Sequence, residues 1–310
     1  MTTKLSGAFP VICTQYRPDA SIDEADFLAV IDFALEAGAD GLVYPGVASE
    51  VDTLTPDERR AQVALLAKRV AGRVPLVIGA SDPDPAASAR HLAQAAEIGA
   101  AAAMVMAPGH AGNEVAKQIA YFAAATAGAP IAIMLQNQPK PIGAGLLPQE
   151  VAEIARAVPA IRYVKEETQP CGQNLTRIAN ALGDATDGIF GGAGGRYIMD
   201  ELARGAAGTM PASELTDIHA RIVDAYRAGN IGEARRLYSA SLSLLNFQAV
   251  FRMHMTKEVL RRRGVIRNTF VRGKGPSFDD GDRAELDALL DEFADELQIF
   301  PVARTAAKVA

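Results

Sequence analysis

The chain contains eight lysines, and only Lys165 continues a short apolar run, Ile161 to Val164, of the kind that forms a buried strand. The other seven fall in terminal segments, helical patterns or loops. Glu167 lies two residues further on. Side chains alternate along a strand, so Lys165 and Glu167 are expected on one side, with Tyr163 below them. A lysine at the mouth of such a strand is partly withdrawn from water, which disfavours the ammonium form and frees an amine to attack a carbonyl. The imine formed with a 2-oxo acid withdraws electrons and acidifies the neighbouring carbon. A carboxylate two residues away is placed to take or return that proton, or to protonate a departing hydroxyl. A structural ion pair between Lys165 and a nearby acid is the competing reading.

Further candidates end or follow other apolar runs. Gly46, Val47, Ala48 and Ser49 come straight after the run Gly41 to Tyr44 and lead into Thr55-Pro56-Asp57-Glu58, the start of a capped helix. Such a loop offers backbone N–H groups and a hydroxyl to an anion, suiting the carboxylate of a 2-oxo acid, although a plain turn has the same local sequence. Gln136 follows the fifth run and His110 the fourth. Gly191 and Gly192 open the segment GGAGG, which lacks GxGxxG spacing with a downstream acid, so close approach of backbone to a substrate or a tight turn is expected there, not a nucleotide. His91, His219 and His254 sit in helical patterns, and no His, Asp and Glu cluster has metal-ligand spacing. Neither a metal nor a separate cofactor is expected.

The elements that must position these residues alternate regularly. Eight short apolar runs, Ala8 to Cys13, Gly41 to Tyr44, Pro75 to Gly79, Ala101 to Met106, Ile131 to Leu135, Ile161 to Val164, Gly188 to Phe190 and Ala206 to Met210, are separated by segments that include clear amphipathic helices such as Pro56 to Val70 and Pro148 to Ala157. This is the pattern of parallel β/α units, and eight of them predict an α/β fold of the (β/α)8 TIM barrel type over residues 1–225. An open doubly wound sheet is the main rival. Residues 226–310 carry no further strand pattern and predict a C-terminal helical extension. In a barrel of this kind the site lies at the C-terminal ends of the strands, where all the candidates fall.

Composition narrows the function classes. A formal charge of -6 over 310 residues argues against a nucleic-acid footprint. The densest basic cluster, Arg261 to Arg263, reads as a solvated or subunit-contact face. The uncharged stretch Gln118 to Leu135 is interrupted by Gly128 and Pro130 and does not read as a membrane span. The first residues do not read as a signal peptide, so a cytoplasmic location is expected. Cys13 and Cys171 have no CxxC spacing and read as reduced thiols.

Taken together, GAFPVICTQY, GADGLVYPGVASEVDTLTPDER, RYVKEET, RGAAGTMP and KEVLRRRGVI resemble, over nearly the whole chain, the dihydrodipicolinate synthase and N-acetylneuraminate lyase family of Schiff-base barrel enzymes. The resemblance implies a covalent imine through Lys165 with no other cofactor, a small-molecule 2-oxo acid as partner, and a homo-oligomer, commonly a tetramer. Departures bear on the substrate. Where the family's YN[VI]P carries a proton-relaying tyrosine, QNQP places Gln136. Gly109 and His110 replace a second tyrosine, and Val47 and Ala48 replace two hydroxyl residues, with a hydroxyl at Ser49 instead. The arginine that helps hold the synthases' second substrate falls on Pro141, beside Lys140. This pattern is more similar to the L-2-keto-3-deoxyarabonate dehydratase-like branch, which implies Gln136, Ser49, His110 and Glu167 around Lys165. The resulting expectation is dehydration or retro-aldol cleavage of a 2-keto-3-deoxy sugar acid. Dihydrodipicolinate synthesis from pyruvate and aspartate semialdehyde is one alternative, and a non-catalytic 2-oxo acid binding protein is another.

Overall fold

The computed structural model describes residues 4–299. Strand and helix alternate as β1 (Gly7–Ala8), α1 (Glu24–Glu36), β2 (Leu42–Tyr44), α2 (Pro56–Val70), β3 (Leu76–Gly79), α3 (Pro85–Glu97), β4 (Ala102–Met106), α4 (Val115–Thr126), β5 (Ile133–Asn137), α5 (Pro148–Ala157), β6 (Ile161–Glu166), α6 (Cys171–Leu182), β7 (Gly188–Gly191), α7 (Ile198–Ala203), β8 (Gly208–Thr209) and α8 (Thr216–Arg227). Three more helices follow, α9 (Ile231–Phe251), α10 (Met253–Arg262) and α11 (Asp280–Phe293). This is a (β/α)8 TIM barrel with a C-terminal helical extension. Among the described residues, no helix is long and apolar enough to cross a membrane.

Local sequence explains the boundaries. At the start of α2, Thr55 Oγ1 accepts from Glu58 N–H at 3.2 Å while Glu58 Oε2 accepts from Thr55 N–H at 2.9 Å, a reciprocal box that satisfies two otherwise unpaired donors. β1 is shorter than the run Ala8 to Cys13 because Pro10 has no N–H to give to the ladder; beyond it only Val11 makes a bridge, to Ala212. Pro211 limits β8 in the same way. Helix α6 begins Cys171-Gly172, two weak helix formers, which hides its start from a pattern reading.

The chain groups into two compact units. One comprises the chain up to Phe9, Asp40–Tyr44 and Ala71–Met210, and it contains all eight strands together with α3 to α7. The strands are parallel in the order β1-β8-β7-β6-β5-β4-β3-β2. At the remaining seam, Asp40 spans β1 and β2: its N–H donates to Ala8 O at 3.0 Å and its carboxylate accepts from Ala8 N–H at 2.8 Å. Gly7 leaves the space that Asp40 occupies, since a Cβ there would lie 2.0 Å from Oδ2. Phe9 and Phe190 meet edge to face at 5.4 Å, and Tyr163 packs on Phe190 at 6.5 Å, giving the sheet a buried aromatic layer.

One irregularity in this sheet matters for the site. Ile133 pairs with Ile161, but Met134 pairs with Tyr163, so Arg162 is an extra residue in β6. The register after it sets Gln136 opposite Lys165 and Asn137 opposite Glu166. Without the bulge Gln136 would face Val164, and its side chain would share no side with Lys165. Arg162 itself is held by a bidentate pair to Asp187 at 2.8 and 2.9 Å, whose hydrogen bonds keep the Asp187 carboxyl below the usual carboxylate range.

The second unit comprises Pro10–Ala39, Pro45–Val70 and the chain from Pro211 on. Its basic cluster is not one solvated face. Helical spacing turns Arg263 inward, where it forks onto Asp217 at 2.9 and 2.7 Å, donates to Glu214 O, and stacks over Phe33. Arg261 and Arg262 share the Glu258 carboxylate at 2.7 and 2.9 Å.

Candidate active site

In the strand-bearing unit, Lys165 and Glu167 share a side, as alternation requires. Nζ of Lys165 lies 3.4 Å from Oε1 of Glu167, and the residues are only 5% and 8% exposed. A rim ion pair would be wet; this one is enclosed. Gln136, opposite Lys165 in register, donates through Nε2 to Glu167 Oε2 at 2.7 Å. The other oxygen, Oε1, also accepts from Ala193 N–H at 3.0 Å. Glu167 therefore has both oxygens held by donors while one of them faces the lysine ammonium.

The glycines at the end of β7 make room for acids. A Cβ on Gly192 would sit 2.3 Å from Glu167 Oε1, so any larger residue would displace it. At Gly191 a Cβ would lie 1.9 Å from Glu201 Oε2. The two predicted glycines thus admit two acids against the backbone. The Ala193 N–H was not anticipated, and the only signal for it was the small-residue run that follows the strand.

On the opposite side of β6, Glu166 accepts from Asn137 Nδ2 at 2.8 Å and from Thr168 N–H at 2.6 Å, and also from the Thr168 hydroxyl. Burial pushes its carboxyl up to about 7 against the pull of those donors. These bonds fix the end of β6 between the two candidate catalytic residues. His110 is exposed, in a single turn after β4, with its ring edge-on to Tyr121 at 6.4 Å. Lys140 is also exposed, and its Nζ donates to Asn113 Oδ1 at 2.8 Å.

In the second unit, Gly46, Val47, Ala48 and Ser49 form a tight 3-10 turn. The Ser49 hydroxyl is engaged within it, accepting from Gly46 N–H at 3.0 Å and donating to Ile12 O at 2.6 Å. Thr14 Oγ1 donates to Ser49 O at 2.6 Å. Val47 and Ala48 are half-buried and begin the turn, where N–H groups have no carbonyl within the turn to bond. Glu50, next in the chain, is buried and in the left-handed region at φ 55°. It accepts from Lys257 Nζ at 2.6 Å and from Gly273 N–H at 2.7 Å, and Lys257 and Arg272 lie over the Tyr16 ring at 4.6 and 4.2 Å. The sequence reading missed this buried pair because its partners are far apart along the chain.

The model of the dihydrodipicolinate synthetase family matches residues 4–292. The chain belongs to that family. Its members are lyases of the class I aldolase type, and this protein is an enzyme of that class. Among its relatives, an L-2-keto-3-deoxyarabonate dehydratase from Azospirillum brasilense is 30% identical over 292 residues, covering 93% of this chain and 94% of the relative. A 4-hydroxy-tetrahydrodipicolinate synthase from Maridesulfovibrio salexigens is 28% identical over 75% of this chain and 79% of its own. The crystal structure of a dihydrodipicolinate synthase from Rhodopseudomonas palustris superposes with a TM-score of 0.86 at 26% identity, covering 94% of this chain and 99% of that one. In this chain Lys165 lies near the end of β6, with Gln136 and Glu167 hydrogen-bonded to each other beside it.

Proposed function

We propose that the protein is a Schiff-base lyase that dehydrates a 2-keto-3-deoxy sugar acid. The observation that carries this reading is the Lys165, Glu167 and Gln136 group, in which an acid held by an amide and a backbone N–H stands 3.4 Å from the one lysine on a strand among the described residues. The similarity to a protein named L-2-keto-3-deoxyarabonate dehydratase supports the substrate class. No separate cofactor is invoked, and we further propose a homotetramer in the cytoplasm acting on a small molecule.

In this mechanism the Lys165 amine adds to the C2 carbonyl and water leaves, giving an iminium. Glu167, as carboxylate, takes the proton from C3, which the iminium has acidified. The resulting enamine expels the C4 hydroxyl as water while Glu167 returns the proton, so the carboxylate ends as it began. Hydrolysis then frees Lys165. Gln136 cannot relay protons as a phenol can; it orients Glu167 by donating to Oε2. His110 is assigned to the distal hydroxyls of the substrate; in the second unit, the N–H groups of Val47 and Ala48 are assigned to a carboxylate. Gly192 leaves the room that the Glu167 carboxylate occupies, and Gly191 the room for Glu201; neither is given the close approach to substrate that the sequence suggested.

The test is borohydride trapping with pyruvate and with C5 and C6 2-keto-3-deoxy acids, followed by peptide mass mapping and product analysis. The expected result is an adduct on Lys165 and a dehydrated 2-oxo product. Release of pyruvate and an aldehyde would show retro-aldol cleavage, condensation with aspartate semialdehyde would show a synthase, and no adduct with any 2-oxo acid would end the Schiff-base reading.

A further inference from the structure

Glu201 on α7 is 1% exposed, and neither of its carboxylate oxygens has a hydrogen-bond partner among the described residues. Its place is set by β7. Gly191 pairs with Glu166, whose side chain alternates with Lys165 and Glu167, so the vacant Cβ position of Gly191 that Glu201 fills lies on the side of the sheet away from Lys165. Gly192, the next residue, has Glu167 against its own Cβ position. Two acids therefore flank one glycine pair, one in contact with the lysine and one behind it.

The groups around Glu201 are mostly acidic. β6 contributes Glu166 and the opposing charge of Lys165, and the residue after it Glu167; α6 contributes the Cys171 thiol, which burial pushes up to about 12; and on α7 itself Asp200 pairs with Arg204 at 2.8 Å. Among the described residues no group of three or more His, Cys, Asp and Glu could hold a metal ion. Glu166 accepts three hydrogen bonds and can carry charge, whereas Glu201 has none to compensate one. Burial first, and then the charges of Glu167, Asp200 and Glu166, push its carboxyl up to about 8, with Lys165 opposing.

Imine formation needs a lysine amine, and each negative charge nearby holds the ammonium instead. We propose that Glu201 is a positioning residue that serves the site as an uncharged acid: while protonated it adds no anion behind the Lys165–Glu167 pair, and when ionised it does, and imine formation slows. The inference rests on the Schiff-base role of Lys165 proposed above.

The test uses the full-length protein with Glu201→Gln and, as an uncharged side chain of similar length, Glu201→Met. The rate of imine formation with pyruvate is read by timed borohydride quench and intact mass between about pH 6.5 and 9.5. The variant to wild-type ratio should be near one at the acid end and rise roughly threefold or more at the alkaline end, where Glu201 is ionised only in the wild type. A ratio constant across the range, at unity or below it, overturns the proposal. Infrared difference spectra between the wild-type protein and Glu201→Gln separate Glu201 from Glu166, whose carboxyl is also pushed up: the protonated-carboxyl band missing from the variant should be present in the wild type at pH 7 and fade by about pH 9.5, and absence of that difference at pH 7 overturns the proposal equally. Failure of the wild type to form any adduct would instead remove the Schiff-base reading itself.

Discussion

Replacing Lys257 by methionine tests how the second unit holds the segment after Ser49. The ammonium and the Glu50 carboxylate are 2.6 Å apart, with side chains 0% and 3% exposed. Methionine fills a similar volume but leaves Oε1 of Glu50 without its charged donor, while the bond from Gly273 N–H to Oε2 remains. Removing one partner of a buried pair strands the other charge, which costs about 3–5 kcal/mol. Lys257 also donates to Phe270 O at 2.8 Å, so that carbonyl loses a donor as well. Urea unfolding followed by circular dichroism should show a lower midpoint at unchanged slope for Lys257→Met. The double variant Glu50→Gln/Lys257→Met should recover part of the loss, because it removes the stranded charge. A loss below about 1 kcal/mol, or a double variant no more stable than the single one, would refute the reasoning that the pair is closed to water.

Three further outcomes are expected. Gln136→Leu removes the donor to Glu167 Oε2 and should lower turnover of the substrate identified by trapping by roughly 10²-fold or more, with Lys165 still trapped by pyruvate; steady-state kinetics beside the trapping assay checks both. Gly192→Ala places a Cβ where Glu167 Oε1 now lies and should depress the same turnover at least tenfold while circular dichroism stays unchanged. Glu201→Gln should alter the pH dependence of stability. The folded value of about 8 lies above the ordinary 4.5, so the folded protein keeps a proton that the unfolded chain releases, and stability present below about pH 4.5 is lost as pH rises toward 8. That interval corresponds to up to about 5 kcal/mol. The variant should lose this part of the slope, leaving the like-signed contribution of Glu166, whose carboxyl is pushed up to about 7; parallel denaturation series from pH 5 to 9 would show no difference if Glu201 were ionised throughout.

Much of this arrangement was legible in the sequence, for reasons that are local. α2 and α5 begin and end where the pattern places them, because a proline at the first turn and an apolar stripe are written in adjacent residues. The shared side of Lys165 and Glu167 follows from a period of two within one strand. Ser49 marks the limit of that approach. Its loop was identified, but its hydroxyl bonds Ile12 O, a partner 37 residues away that no local pattern reveals.

Gln136 shows the same limit in a more consequential way. Its place at the end of β5 is readable, yet its contact with Glu167 depends on an extra residue in the neighbouring strand. Arg162 reads as an ordinary strand residue; only its outward fork onto Asp187 and the resulting shift of register bring the amide to the lysine's side. Glu201 is hidden for a related reason. In MDEL it reads as a solvated helix acid, and its burial follows from a missing side chain ten residues earlier, at Gly191. Both residues owe their position to what a neighbouring strand leaves out or inserts. The chemistry of the lysine strand is therefore set by the registers of β5 and β7 as much as by its own sequence, and substitutions at Arg162 or Gly191 belong among those that should disturb it.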